Sequence, residues 1–353
     1  MINKKISDNQ CFFLIFLMKF IMLIFNITVT ESVQELGFIL ISNVIGGILN
    51  YLIVLPFILM IKNEMYVNVL KDKKWLAYIF VILLFVVLQL RLSSFTSFYN
   101  IGVFPELSNT FFAVTCLIVV IYSVRKGIEG ISRSSVILLP LLIFSMTVIS
   151  ILILNYGMEN SSKITLGGNV LKGLSNQAIF NAATSLDGIF LFLLSPYIKS
   201  KEKIHKKYVF WLLGYIILLL FMTFAIILSY GKYAANLNFI YYITARNTGL
   251  GTFIERFESV HVALWVLCII PFFASIIVMI QDLTGKKGWI SLIIISVLLI
   301  IGDYFLTFKY TYLYNIFSNR IINMVIGAVI ILLPYFVLLF CRRRKKKNEK
   351  KIS

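Results

Sequence analysis

Four ionisable side chains stand inside stretches that are otherwise apolar: Lys19 in CFFLIFLMKFIMLIF, Arg91 in VVLQLRLSSF, Asp187 in SLDGIFLFLL and Asp303 in LLIIGDYFL. An ionisable group in hydrocarbon costs about 2.5–3.5 kcal/mol on insertion scales, so such residues mark places where charges pair, a charged ligand binds or a proton moves. Two more, Glu258 and His261, sit at the edge of an apolar run within FIERFESVHVALW. For His261 a packed or interfacial role outweighs that of a pH sensor, and for Glu255 and Arg256 a solvated helix end outweighs ligand contact. Other chemistry is not supported by the residue types. No Walker motif, zinc-binding pattern or scaffolded Ser/His/Asp arrangement is visible, which speaks against an enzyme and gives no cofactor or metal site. Cys11, Cys116, Cys268 and Cys341 lie in or beside apolar runs without a CxxC pair, the pattern of small core residues.

The elements that carry these residues follow from composition. Of 353 residues, 60% are hydrophobic and 14% charged. That leaves too little polar surface to solvate a globule, so lipid must act as solvent. A spanning helix needs about 20 apolar residues at 1.5 Å each, because backbone amides in hydrocarbon must be satisfied internally. Ten segments qualify: 11–29, 37–61, 75–98, 111–124, 136–154, 179–198, 208–229, 259–280, 289–308 and 321–340. The expectation is an all-α polytopic membrane protein, one transmembrane domain over 1–340 followed by a basic tail over 341–353. The first run follows Lys4 and Lys5 but lacks a small-residue cleavage site, and it reads as the first span.

The formal charge of +18 is a topology signal. Its basic residues fall in short clusters between apolar runs, unlike the basic face that binds nucleic acid. Alternate connections and both ends hold 24 of the 33 lysines and arginines. By the positive-inside rule this places the N- and C-termini in the cytoplasm. The RRRKKK run of the tail suits anionic lipid at about 1 kcal/mol per residue, with partner docking as the other reading. Two connections on the opposite side are long, and one contains LNFIYYIT over 237–244, a candidate surface helix that could act as a lid.

Depth follows from helical rise. Lys19 lies about 12 Å in from the inner face, and Asp187 differs from it by roughly 6 Å in a core of about 30 Å. Two readings stand: the residues pair, provided the first and sixth helices are neighbours, or Lys19 snorkels alone while Asp187 caps a half-helix. Arg91 lies about 24 Å above the inner face, at the level of Glu258, its expected partner. The sixth segment reads as discontinuous, because Asn181, Thr184, Ser185, Asp187 and Gly188 interrupt its apolar character. Such breaks build substrate sites in secondary transporters, while a Ser/Thr-rich packing interface is the other explanation.

These residues, taken in order, resemble the spore germination permeases, the B subunits of nutrient germinant receptors within the amino acid, polyamine and organocation transporter superfamily. The resemblance rests on KISDNQCFFLIF near the N-terminus, LRLSSF at 90–95, RKGIEGISR at 125–133, SLDGIFLFLLSPYIK at 185–199 and FIERFESVHVALW at 253–265. It covers nearly the whole chain. It implies a 5+5 inverted-repeat, LeuT-type fold in which helices 1 and 6 break at mid-membrane around a small-molecule pocket. It further implies residence in the cell membrane or spore inner membrane. Carried over by position, the pocket residues are Lys19, Met22, Asn26, Arg91, Thr184, Asp187 and Glu258. The implied partners are a small germinant such as an amino acid, a membrane-embedded A-type subunit and a C-type lipoprotein subunit. Two departures bear on the ligand. The first span contains no glycine at the expected break, so Lys19 either replaces free amides as a carboxylate's counter-charge or plugs the site. LRLSSF also lacks the acid that usually follows its arginine.

The leading functional expectation is therefore a germinant-receptor subunit that binds its ligand at mid-membrane and relays the event to partner subunits. The alternatives are a proton-coupled amino acid transporter, with Lys19 or Asp187 titrating, and a polytopic scaffold or lipid-handling protein.

Overall fold

A computed structural model describes residues 5–26, 36–62, 74–157, 186–230, 240–247 and 257–309. The described residues are predominantly helical, with α1 at Asp8–Asn26, α2 at Leu36–Lys62, α3 at Lys74–Phe98, α4 at Asn109–Gly157, α5 at Asp187–Leu194, α6 at Ile204–Tyr230, α7 at Ile240–Asn247, α8 at Phe257–Thr284 and α9 at Trp289–Tyr304. Six helices among them are long and apolar enough to cross a membrane. Many of their large apolar side chains face outward, including Phe210, Ile217 and Ile290, which in water would be an untenable apolar surface. The architecture is that of a polytopic membrane protein. The tenth predicted span and the basic tail lie outside the described residues.

α1 is the central helix. It packs against α4, α5, α6 and α8, and from Cys11 to Ile21 every side chain but Phe13 is buried. A helix apolar on all faces belongs in a core. Its start is fixed by a reciprocal cap: the Ser7 amide donates to Gln10 Oε1 at 3.0 Å and the Gln10 amide to Ser7 Oγ at 3.2 Å. Two orphan N–H groups are thereby satisfied, and Asp8 in the first turn suits the helix dipole. Contrary to the implied mid-membrane break, α1 runs uninterrupted from Asp8 to Asn26. The missing glycine explains this, since apolar residues of ordinary helix propensity give the backbone no cause to unwind.

α4 merges the fourth and fifth predicted segments across a kink at Gly127, whose φ of 73° lies in the left-handed region that favours glycine. The kink falls in the basic RKGIEGISR stretch. Here Arg125 stacks over the Trp289 ring at 3.8 Å, at the start of α9.

The segments that the charge pattern assigns to one side meet at one end of the bundle. Ile6 pairs with the stretch after α5, its amide donating to Tyr197 O at 2.8 Å and its carbonyl accepting from the Lys199 amide at 3.1 Å. Lys207 reaches Asp8 and Asn9, while Tyr197 and Lys287 both contact Asp282. At the other end lies α7, overlapping the stretch 237–244 expected to form a surface helix. Tyr242 donates from its hydroxyl to Gly102 O at 3.0 Å, and Tyr241 donates to Met146 O at 2.5 Å. The short helix is thus tied to α4 and to the π-helical turn Tyr99–Val103 that extends α3.

Candidate functional site

The interior charge pair forms. Lys19 Nζ meets Asp187 Oδ2, with Lys19 5% and Asp187 1% exposed. Depth explains the meeting. Lys19 is eleven residues beyond the start of α1, and Asp187 is ten residues before Tyr197 at the same end of the bundle, so both lie roughly 15–17 Å in. α5 begins at Asp187, after Leu186 in a non-helical conformation with φ −99° and ψ 6°. The carboxylate therefore sits where the free amides and dipole of a helix start favour negative charge.

Three further side chains complete the cluster. Asn50 of α2 donates its Nδ2 to Asp187 Oδ2 at 3.2 Å, and the Tyr208 hydroxyl of α6 donates to the same oxygen at 3.3 Å. The Lys19 ammonium lies 4.4 Å from the centroid of the Tyr215 ring, a cation–π contact that offsets part of its lost hydration. A buried charge is tolerable only when paired and hydrogen-bonded, and here both charges are. The close approach of α5 to α2 depends on Gly188, where an added Cβ would stand 2.5 Å from Phe57 Cδ2 and 3.3 Å from Val54 Cγ2.

Of the other residues expected to line the pocket, Arg91 stands on α3 and is not a partner of Asp187, whose bonds go to Lys19, Asn50 and Tyr208. Met22 and Asn26 lie in α1 and Glu258 in α8, with their side chains outside the described residues, as is Thr184 altogether. The expected Arg91–Glu258 contact therefore also lies outside them. His261 is 2% exposed and packed, its Nδ1 2.5 Å from Ser145 Oγ and its ring edge-on to Tyr241 of α7. That is the core histidine the sequence favours.

Sequence reasoning missed Asn50, Tyr208 and Tyr215. Asn50 was detectable as an amide within an apolar run, but its direction depends on how α2 packs. The tyrosines carry no such signal, because aromatic residues with one polar atom are common along helices near membrane interfaces.

Chemically, the cluster holds one positive and one negative group in contact within a buried interior. It can exchange its internal partners for those of a molecule bearing the same two charges, leaving the number of buried ion pairs no lower. Among known proteins, the family model described as spore germination protein, the spore permease model, matches residues 5–301. No curated protein matches the chain.

Proposed function

The chain belongs to the spore germination permease family, and from that premise we propose that it is the ligand-binding membrane subunit of a nutrient-germinant receptor, taking an amino acid at the Lys19–Asp187 pair. The carrying observation is the pair itself, buried at mid-depth beside the start of a helix. A zwitterionic amino acid presents a carboxylate to Lys19 and an ammonium to Asp187. One internal ion pair thereby becomes two, while the net charge of the buried site stays zero. Asn50 and Tyr208 hold the Asp187 carboxylate in place through the exchange. Breaking the α1–α5 contact and remaking it through the ligand gives two states of differing affinity, which any ligand-driven signal requires. In this reading the change passes to an A-type membrane subunit and a C-type lipoprotein in the spore inner membrane, with the chain's ends in the cytoplasm.

A thermal-unfolding screen of the purified full chain against the common amino acids tests the reading. A saturable rise in midpoint with one or a few of them, weakened in Lys19→Met and lost in Asp187→Asn, supports it. No shift with any amino acid counts against it. A proton-coupled amino acid transporter would use the same pair, and pH-driven uptake into proteoliposomes would favour that second reading.

A further inference from the structure

Asp303 takes no part in the site above, yet it is fully buried in the interior of the bundle on α9. Thr96 of α3 donates to its Oδ1 at 3.0 Å, whereas Oδ2 has no hydrogen-bond partner among the described residues. Ser93, one turn before Thr96 on α3, is also fully buried, and its hydroxyl has no hydrogen-bond partner among the described residues. Gln89 is 8% exposed, and among the described residues neither its amide oxygen nor its amide nitrogen has a hydrogen-bond partner. Its amide is pressed against Gly302, where an added Cβ would stand 2.7 Å from Gln89 Cδ. Gln89, Ser93 and Thr96 follow i, i+4, i+7 spacing and so form one stripe of α3 facing Asp303. Arg91 is two residues from both Gln89 and Ser93, about 160° or more around the helix on its other side.

Buried polar atoms are nearly always hydrogen-bonded, and a carboxylate without a counter-charge is the costliest to leave alone. Here a carboxylate on α9 and two hydroxyls on one stripe of α3 share a single bond, Thr96 to Oδ1, and an unsatisfied amide of the same stripe lies against the adjoining Gly302. Oxygens that adjoin yet do not satisfy each other are arranged for something placed between them. Both helices also change winding just beyond the Thr96–Asp303 bond, α3 into the π-turn Tyr99–Val103 and α9 into the π-turn Phe305–Lys309. Single π-turns in helical segments often accompany functional sites.

We propose that Asp303, Thr96, Ser93 and Gln89 form a binding site for an alkali-metal cation between α3 and α9. The donors are all hard oxygens, the class that takes alkali and alkaline-earth ions and not thiophilic metals. A single carboxylate is neutralised by one monovalent cation, whereas a divalent ion would leave a net charge in the interior. The ion would tie α3 to α9 at a place separate from the Lys19–Asp187 pair, and the inference does not rest on the proposed germinant site.

The test uses the purified full chain in detergent, with thermal unfolding followed in sodium, potassium or choline chloride at constant ionic strength. Sodium or potassium should raise the midpoint saturably over choline by about 2–4 °C, the scale of one bound ion on a large domain. Asp303→Asn should abolish the response. Ser93→Ala should weaken the apparent affinity about tenfold while keeping the wild-type midpoint in choline, which decides the matter should the Asp303 variant fail to fold. Lys19→Met should keep the full response. Equal midpoints in all three salts, or an alkali-ion response unchanged in Ser93→Ala and Asp303→Asn, would overturn the proposal. So would stabilisation by acid alone with no response to either ion, which would make Asp303 a proton site.

Discussion

Lys19 of α1 and Asp187 of α5, separated by 168 positions in the sequence, meet at a common depth in the interior, each carried inward from the same end of the bundle. A buried pair of this kind contributes little as a replaceable unit, but loss of one member leaves an uncompensated charge. Lys19→Met alone is expected to destabilise by about 3–5 kcal/mol, and Asp187→Asn alone by a similar amount. The double variant should recover most of that loss. Chemical denaturation of all four proteins in one detergent completes the cycle, and a double variant as unstable as the sum of the singles would show that the two side chains do not pair.

Gly188 sets how closely α5 can approach α2. Gly188→Ala drives a methyl group into the Phe57 ring and pushes the start of α5 away from α2. A loss of about 1–3 kcal/mol is expected from overpacking, together with weaker ligand-induced stabilisation. Gly214→Ala serves as the comparison, because nothing lies within 4 Å of its added Cβ, and its midpoint should not fall.

The Asp8–Lys207 contact, ahead of the apolar run of α1, gives a pH dependence of definite sign. Burial would raise the Asp8 pKa, but the hydrogen bond and charge of Lys207 outweigh it and hold the carboxyl below its ordinary value. The stabilisation is therefore fully present above the unfolded-state value of about 3.9 and is lost as pH falls through the lower folded value. For a partly exposed pair it amounts to about 0.2–1 kcal/mol. Between pH 6 and 3, as approximate working limits, the midpoint difference between wild type and Asp8→Asn should shrink. A difference that grows toward acid pH would contradict this.

Much of this fold was legible because membrane helices are specified by long apolar runs, and their sidedness by lysine and arginine placement. The meeting of Ile6, Tyr197 and Lys199, and of Lys207 with Asp8, joins segments that the charge pattern alone assigns to one side. Depth arithmetic on Lys19 and Asp187 was equally informative, since rise per residue is fixed once the helix ends are known. Lateral neighbours were not legible. Nothing in the spacing of Asn50, Tyr208 or Tyr215 says which helix they face, and Gln89 and Ser93 become notable only when Asp303 is seen opposite. The implied break in the first helix was a family expectation, and it was not legible beforehand that α1 would run on from Asp8 to Asn26.

Tyr242 holds α7 against the end of α3 through a hydroxyl bond to Gly102 O at 3.0 Å. Tyr242→Phe removes a bond with a net value of about 0.5–1.5 kcal/mol. Amide hydrogen exchange over 240–247 should quicken several-fold, consistent with a lid that opens more often, while exchange in α1 stays unchanged. Unchanged exchange in α7 would mean that this bond does not hold the short helix down.

The central claim is that the ligand's carboxylate takes Lys19 from Asp187. The direct measurement is the affinity of wild type and Lys19→Met for the most strongly stabilising amino acid and for its methyl ester, by calorimetric titration. Wild type should bind the free acid at least about tenfold more tightly than the ester, a difference of 1.4 kcal/mol or more from one charge-assisted contact. Lys19→Met should bind the two alike. Equal affinity of wild type for acid and ester, or undiminished discrimination in Lys19→Met, would show that Lys19 does not receive the carboxylate.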